Sequence, residues 1–265
     1  MIHYLKPWMY PVIASVEIVV SVLTTYFKSA DDGYVVRDFP FISDTGNKGI
    51  AASVFSLLLS VYAFLIFINI YIRFEQVKWK YSWKEHRRIF IINIVGVLAG
   101  LLSCLGVLIA CTFQIDTFEM VHNTGAVMAF AIGTFYFWTQ TVISFLCKEL
   151  TGSRIVTIVI SVTRTIMSVL QTAFLIGTFA VTLQFMSTKD PSVKRNAAIQ
   201  EWILAFLVTF YVLTFIPEFC QFDWTMQLIS KHKSNKVSHE TSVNTDTATK
   251  QENKKDMNVI ENGNK

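Results

Sequence analysis

His122, Asp44, Asp116, Glu119 and Glu201 are the side chains whose types and placing invite chemistry, because all five fall beside the same three loops between apolar blocks. Four acids and an imidazole at one rim suit three tasks. They could hold a cation, anchor a polar lipid headgroup, or respond to acid through His122. Interfacial solvation, with acids capping helix N-termini, is the plainer account. Two further charges stand out for depth. Glu17 lies mid-way along the first apolar block and Arg164 interrupts the fifth. An unpaired charge at the bilayer centre costs about 3 kcal/mol or more, so Glu17 must be protonated, paired or turned to a polar cavity. A Glu17–Arg164 pair is one way out. Asn93, Gln140, Gln171 and Gln184 read as interhelical hydrogen-bond partners ahead of a transport path.

The chain has none of the usual catalytic signatures: no Gly-x-Ser-x-Gly, no His-Glu-x-x-His and no phosphate-cradling glycine loop. Its four cysteines, Cys104, Cys111, Cys147 and Cys220, lie in or at the ends of apolar blocks without a Cys-x-x-Cys pair. Neither a disulfide framework nor a metal site is expected, and no cofactor. Cys147 and Cys220 sit where helices end on the basic side and could carry palmitate, although free thiols are commoner.

These residues must be positioned by membrane helices. Hydrophobic residues make up 52% of the chain and charged ones 16%, against roughly 25% charged in an ordinary soluble domain. The apolar residues come in blocks, at about 8–27, 50–72, 89–113, 122–147, 165–185 and 202–222. Each block is long enough to cross a hydrocarbon core of about 30 Å at 1.5 Å per residue. The first is too long for a signal-peptide core. Trp8, Tyr10, Tyr26, Tyr71, Trp79, Trp83, Trp202 and Trp224 sit at block edges, as interfacial aromatics do.

The fold class is therefore all-α, a polytopic bundle of six transmembrane helices over residues 1–229. Segment 73–88 carries Arg73, Lys78, Lys80, Lys84, Arg87 and Arg88, whereas 114–121 carries no Lys or Arg. The positive-inside rule then places both termini, 73–88 and 148–163 in the cytoplasm, with 28–49, 114–121 and 186–201 opposite. The fifth block is over-long, from Ile155 to Phe185. Starting its span near Arg164 lets that side chain snorkel to the interface, with residues 155–163 either lying along the membrane surface or continuing the helix into the cytoplasm. Residues 230–265 have no aromatic residue and abundant Lys, Asn, Thr, Glu and Ser, a composition expected to stay disordered. With no basic stripe interleaved with aromatics outside the membrane, nucleic acid is not an expected partner; membrane lipids and other membrane proteins are.

Small residues give the packing signal. Gly96, Gly100, Gly106 and Ala110 mark the third span; Gly125, Ala129 and Gly133 are four apart on the fourth. Such spacing lets helix backbones approach closely in lipid, and ordinary bundle packing accounts for it.

Four stretches carry a family resemblance. They are Phe39-Pro-Phe-Ile-Ser-Asp-Thr-Gly46, Thr112-Phe-Gln114, Val121-His-Asn-Thr-Gly-Ala126 with Ala129 and Phe130, and Glu201-Trp202 followed by Phe210-Tyr-Val-Leu-Thr-Phe-Ile216. In this order they resemble the DNA-damage-regulated autophagy modulator (DRAM) family of six-helix membrane proteins, over roughly residues 8–224. The resemblance implies a lysosomal or late-endosomal protein that modulates autophagy. Its wider relatives, in GPI-lipid remodelling at the Golgi and phosphoinositide regulation at the plasma membrane, leave those locations and roles as alternatives. A small-solute transporter and a lipid-modifying enzyme are further ones. Ser43, Asp44, Gly46, His122, Gly125, Glu201 and Trp202 carry over as shared motif positions, without a catalytic assignment. After Gly46 the chain runs directly to Asn47-Lys48-Gly49, where relatives have a longer Pro- and Glu-containing stretch.

Overall fold

A computed structural model describes residues 5–81, 83–147 and 150–223. The 230–265 tail, the basic residues in it and Trp224 lie outside the described residues.

The elements run α1 (Met9–Asp31), a short α2 (Ile42–Thr45), α3 (Gly49–Lys80), α4 (Arg87–Thr112), α5 (Ile115–Val127), a π-helical turn (Met128–Ile132), α6 (Gly133–Leu146), α7 (Arg154–Thr188), α8 (Pro191–Leu213) and a short α9 (Ile216–Phe219). With α5 to α6 as one rod and α8 to α9 as another, six helices are long and apolar enough to cross a membrane. Each packs on its neighbours in sequence, and α1 against α8 closes the ring. One end of the bundle carries α2 and the turns at 113–114 and 189–190. We call it the rim end. The other, where α3 ends at Lys80 and α7 begins at Arg154, is the basic end.

The burial pattern is that of a protein solvated by hydrocarbon. On α7 the buried stripe is Thr157, Ile160, Ser161, Arg164, Ser168 and Gln171, mostly polar. Its outward side is Ile158, Val159, Val162, Ile166, Val169 and Ile176. A helix in water would be turned the other way round. Polar groups in lipid must find partners inside the bundle. Thr141 accordingly pairs with Ser168 at 3.0 Å, and the Tyr211 hydroxyl donates to the Phe137 carbonyl at 2.8 Å.

Several expected boundaries are corrected. α7 is one continuous helix of 35 residues that begins ten positions before Arg164. Arg164 does not snorkel: it is fully buried and ion-paired. Helix also replaces loop at three places. α3 continues through Arg73 to Lys80. Residues 115–121 form the first turns of α5, kinked at Phe118. Glu201 does not open a helix, because α8 starts ten residues earlier at Pro191. Here Asp190 is the N-cap, its carboxylate accepting from the Ser192 amide and hydroxyl at 2.8 Å, with Pro191 in the first turn. Charged or polar residues end these spans on hydropathy; Arg73 and Glu201 find partners within the bundle, whereas Lys78, Asp116 and Lys194 lie on exposed turns where the helices continue.

Candidate functional site

The octad 39–46 is held from three sides at the rim end. Trp202 Nε1 donates to the Pro40 carbonyl at 2.8 Å. The Ile42 amide, at the N-terminus of α2, donates to Glu201 Oε2 at 2.7 Å. Ser29 donates to the Thr45 carbonyl at 2.8 Å, and Thr45 Oγ1 lies 3.3 Å from Thr25 Oγ1. Phe55 lies so close to Gly46 that a Cβ there would overlap its side chain. Outside this contact, Asp44 is paired with Lys194 at 3.0 Å and Asp38 with Arg195 at 2.9 Å. α2 is thus pinned on α1, α3 and α8. Phe39, at φ 45°, takes the left-handed turn that brings the chain into it.

The rim charges do not converge on one point. Asp116 is exposed and lies 3.5 Å from Lys48. Asp44 belongs to Lys194, and Glu201 serves α2. His122 is buried, with Nδ1 2.9 Å from the Phe113 carbonyl. None of Asp44, His122 and Glu201 hydrogen-bonds another. Ser43, His122 and Glu201 do share a boundary: all three line the same internal cavity. Among the described residues no three His, Cys, Asp or Glu side chains gather as metal ligands.

The glycines place the third and fourth spans in backbone contact. A Cβ on Gly106 would meet the Ala129 amide, and one on Gly125 would meet the Ala110 amide at 2.6 Å. Gly133 faces Ser103, whose hydroxyl donates to the Ala129 carbonyl at 2.8 Å. Gly96 abuts Thr139 and Gln140 on α6, whereas Gly100 faces Ile70 on α3.

The charge centre at the basic end was only half visible in the sequence. Arg164 donates through Nη2 to Glu218 Oε2 at 2.6 Å and through Nη1 to Oε1 at 3.2 Å. Arg73 Nη1 reaches the same Oε1 at 3.1 Å. The expected Glu17–Arg164 pair is not formed; Glu17 instead accepts from Ser21, one turn along, at 2.6 Å. Other guanidinium donors go to Gln140 and Gln76 from Arg73 and to Ser144 and Thr214 from Arg164, while Arg73 Nη2 is buried without a hydrogen-bond partner. The Gln76 amide closes the circuit on the Glu218 carbonyl oxygen at 2.7 Å. Phe215 presents its ring to both guanidinium carbons, 4.4 Å from Arg164 and 5.7 Å from Arg73.

Sequence reasoning missed Arg73 and Glu218. On sequence Arg73 belongs with the basic loop 73–88, and Glu218 lies between Pro217 and Phe219 inside the last apolar block. The available signal was the polar stripe of α7. Thr157, Ser161, Arg164, Ser168 and Gln171 recur at helical spacing inside an apolar run, so Arg164 had to face inward and meet an acid.

Of the two cysteines at helix ends, Cys147 is buried whereas Cys220 is exposed.

The chain matches the Frag1/DRAM/Sfk1/Cwh43P N-terminal domain family over residues 4–222. It belongs to that family. Among similar proteins is Modulator of macroautophagy TMEM150B of Xenopus tropicalis, 31% identical over 240 residues, which are 89% of this chain and 96% of that one. DNA damage-regulated autophagy modulator protein 1 of Homo sapiens is 29% identical over 210 residues, 74% of this chain and 84% of its own. DNA damage-regulated autophagy modulator protein 2 of Bos taurus is 40% identical over 106 residues. That match covers 40% of this chain and 39% of the bovine one, well under half its length. No solved structure matches the chain. Every motif stretch quoted above falls inside the family match, so the pinned octad, the glycine contact and the charge centre all lie within the family domain.

Proposed function

We propose that this family member modulates autophagy from an endolysosomal membrane without catalysing a reaction, through contacts with lipids and partner membrane proteins. What carries the reading is similarity to proteins named as autophagy modulators along 74% and 89% of the chain. The site geometry supports the non-catalytic part. His122 bonds to a backbone carbonyl, Glu201 caps a helix and Asp44 pairs with a lysine, so each of these three rim groups is engaged elsewhere and none is hydrogen-bonded to another.

The basic end is the face offered to anionic lipid. Lys84, Arg87 and Arg88 are exposed there beside Trp83, and Lys78 and Trp79 lie on the last turn of α3. Arg73 is not part of that face. Both termini are cytoplasmic in this reading, since six crossings return the chain to the side it left and the basic residues choose which side.

The test is autophagic flux and organelle location in cells lacking the protein and rescued with wild type or with Lys84, Arg87 and Arg88 changed to Gln. The expected result is endolysosomal signal in both and weaker rescue by the triple variant. Equal rescue removes the basic face from the proposal. Normal flux in cells lacking the protein removes the autophagy role.

A further inference from the structure

Inside the bundle is a cavity of about 160 Å³ whose long walls are apolar. Phe55, Tyr62, Cys104, Val107, Val208 and Val212 are typical of them. Along α8 its lining runs from Glu201 to Val212, and along α4 from Gly100 to Cys111. Eleven steps of helix are about 16 Å. That is the depth of one leaflet, half of a hydrocarbon core of about 30 Å. A space this narrow over that length suits a single slender apolar group and is too small for two side by side.

At the rim end the lining turns polar. Ser43, His122 and Glu201 border the space there. The Phe113 carbonyl can only accept, so His122 Nδ1 carries a proton toward it. In the neutral ring Nε2 is then a lone-pair acceptor, and among the described residues no protein group donates to it. Glu201 accepts from the Ile42 amide at 2.7 Å and from the Ser43 amide, and its two carboxyl oxygens still have lone pairs to offer. The complement to these groups is a donor without negative charge. A carboxylate or phosphate head would face Glu201 directly. A cationic head would sit under Lys194 and Arg195, which stand about two turns earlier on α8. A bare hydrocarbon would leave Nε2 unmet in an apolar surrounding.

We propose that this cavity binds one uncharged, hydroxyl-headed single-chain lipid of the monoacylglycerol type. Its chain runs down the bundle, and its hydroxyls donate to His122 Nε2 and Glu201 beneath the α2 lid. The proposal rests on the lipid-contact reading above and names the ligand class. Its test uses no autophagy readout, so the two can fail separately.

The experiment uses the full chain in nanodiscs of phosphatidylcholine and a monoacylglycerol carrying a photoreactive diazirine in its chain, with labelled positions mapped by mass spectrometry. Expected is saturable labelling of cavity residues such as Tyr62 and Val107, displaced by unlabelled monooleoylglycerol. Oleate and oleylamine should displace it at least tenfold less well. His122→Phe should weaken binding about tenfold, the worth of one hydrogen bond. Ala126→Leu, which fills the cavity wall without touching that bond, should abolish labelling in a protein that still elutes as one peak. Labelling confined to outward positions of α7 such as Ile158 and Val162 would overturn the proposal. So would competition by oleate or oleylamine equal to that of monooleoylglycerol, or undiminished labelling in Ala126→Leu. If both variants fail to fold, the position of the label on the wild-type chain still decides.

Discussion

Glu218 and Arg164 meet with Oε2 and Nη2 2.6 Å apart, and neither side chain is more than 3% exposed. Arg73 shares the same carboxylate, so one acid answers two buried cations. Desolvating these charges is costly, and only their mutual geometry and the ring of amide and hydroxyl partners offset it. Removing the acid strands both guanidiniums. Glu218→Gln should therefore lower stability by about 3–5 kcal/mol, the range for breaking a buried pair from one side. The measurement is the melting point of the detergent-solubilised protein by size-exclusion fluorescence. Glu218→Gln combined with Arg164→Gln should be less damaging than Glu218→Gln alone; a double variant that is worse by the sum of the two single losses would show that the pair is not coupled.

The glycine positions separate backbone contact from side-chain contact. Gly125→Leu and Gly106→Leu each put carbon into the facing helix backbone and should prevent recovery of a monodisperse protein. Gly177→Ala meets only the Gln200 amide oxygen, at 2.7 Å on a flexible side chain, and should fold with a small loss. Yields after solubilisation that rank the other way would break the packing argument.

Trp202→Phe keeps the ring and deletes the Nε1 bond to Pro40. About 1 kcal/mol is the usual worth of such a bond, and it should appear as loosening of α2 rather than as global unfolding. Limited proteolysis of 32–48 tests this. Cleavage rising several-fold with an almost unchanged melting point is the expected outcome, and unchanged cleavage would show that the indole bond does not hold the lid.

Acid should weaken the start of α8 only at low pH. The Ser192 amide and hydroxyl hold the Asp190 carboxyl below its ordinary value of 3.8. A folded value depressed below the unfolded one contributes stability that is complete above 3.8 and is lost as pH falls through the folded value. The melting-point gap between wild type and Asp190→Asn should hold steady from neutral pH to about 5 and close below 3.8. A gap that closes between pH 7 and 5 would contradict the assignment.

Thiol labelling reports both burial and sidedness. Cys220 is exposed, whereas Cys104, Cys111 and Cys147 are buried. A membrane-impermeant maleimide on the detergent-solubilised protein should modify one site, and Cys220→Ser should remove it. In intact vesicles of known orientation the same reagent tells which side holds the basic end.

How much of this could be read from sequence varied with the range of the interaction. Six spans were legible because hydropathy is local, and the apolar blocks needed no knowledge of one another. The Gly125, Ala129 and Gly133 series was legible for the same reason, and so was the octad 39–46 as a unit. What the octad touches was not, since Glu201 meets Ile42 across 159 positions and Trp202 meets Pro40 across 162. Arg164 and Glu218, 54 apart, each look like a solitary charge in an apolar run. Hydropathy counts Arg164 as a reason to begin a span after it, while its pairing with Glu218 on α9 lets α7 run through it unbroken.

The π-helical turn at Met128–Ile132 has a further consequence. It inserts one residue more than an α-helix needs for the same rise, so the rim half and the basic half of the fourth span are out of phase by a position. Gly125, Ala129 and Gly133 all meet α4 across the turn, and the change of phase falls on the positions after Gly133. A relative built without the turn would have to be aligned with a gap in the middle of a membrane-crossing rod, where a deletion ordinarily swings every later side chain to the wrong azimuth. Removing a single residue from 128–132 should therefore be tolerated far better than removing one from the regular turns on either side.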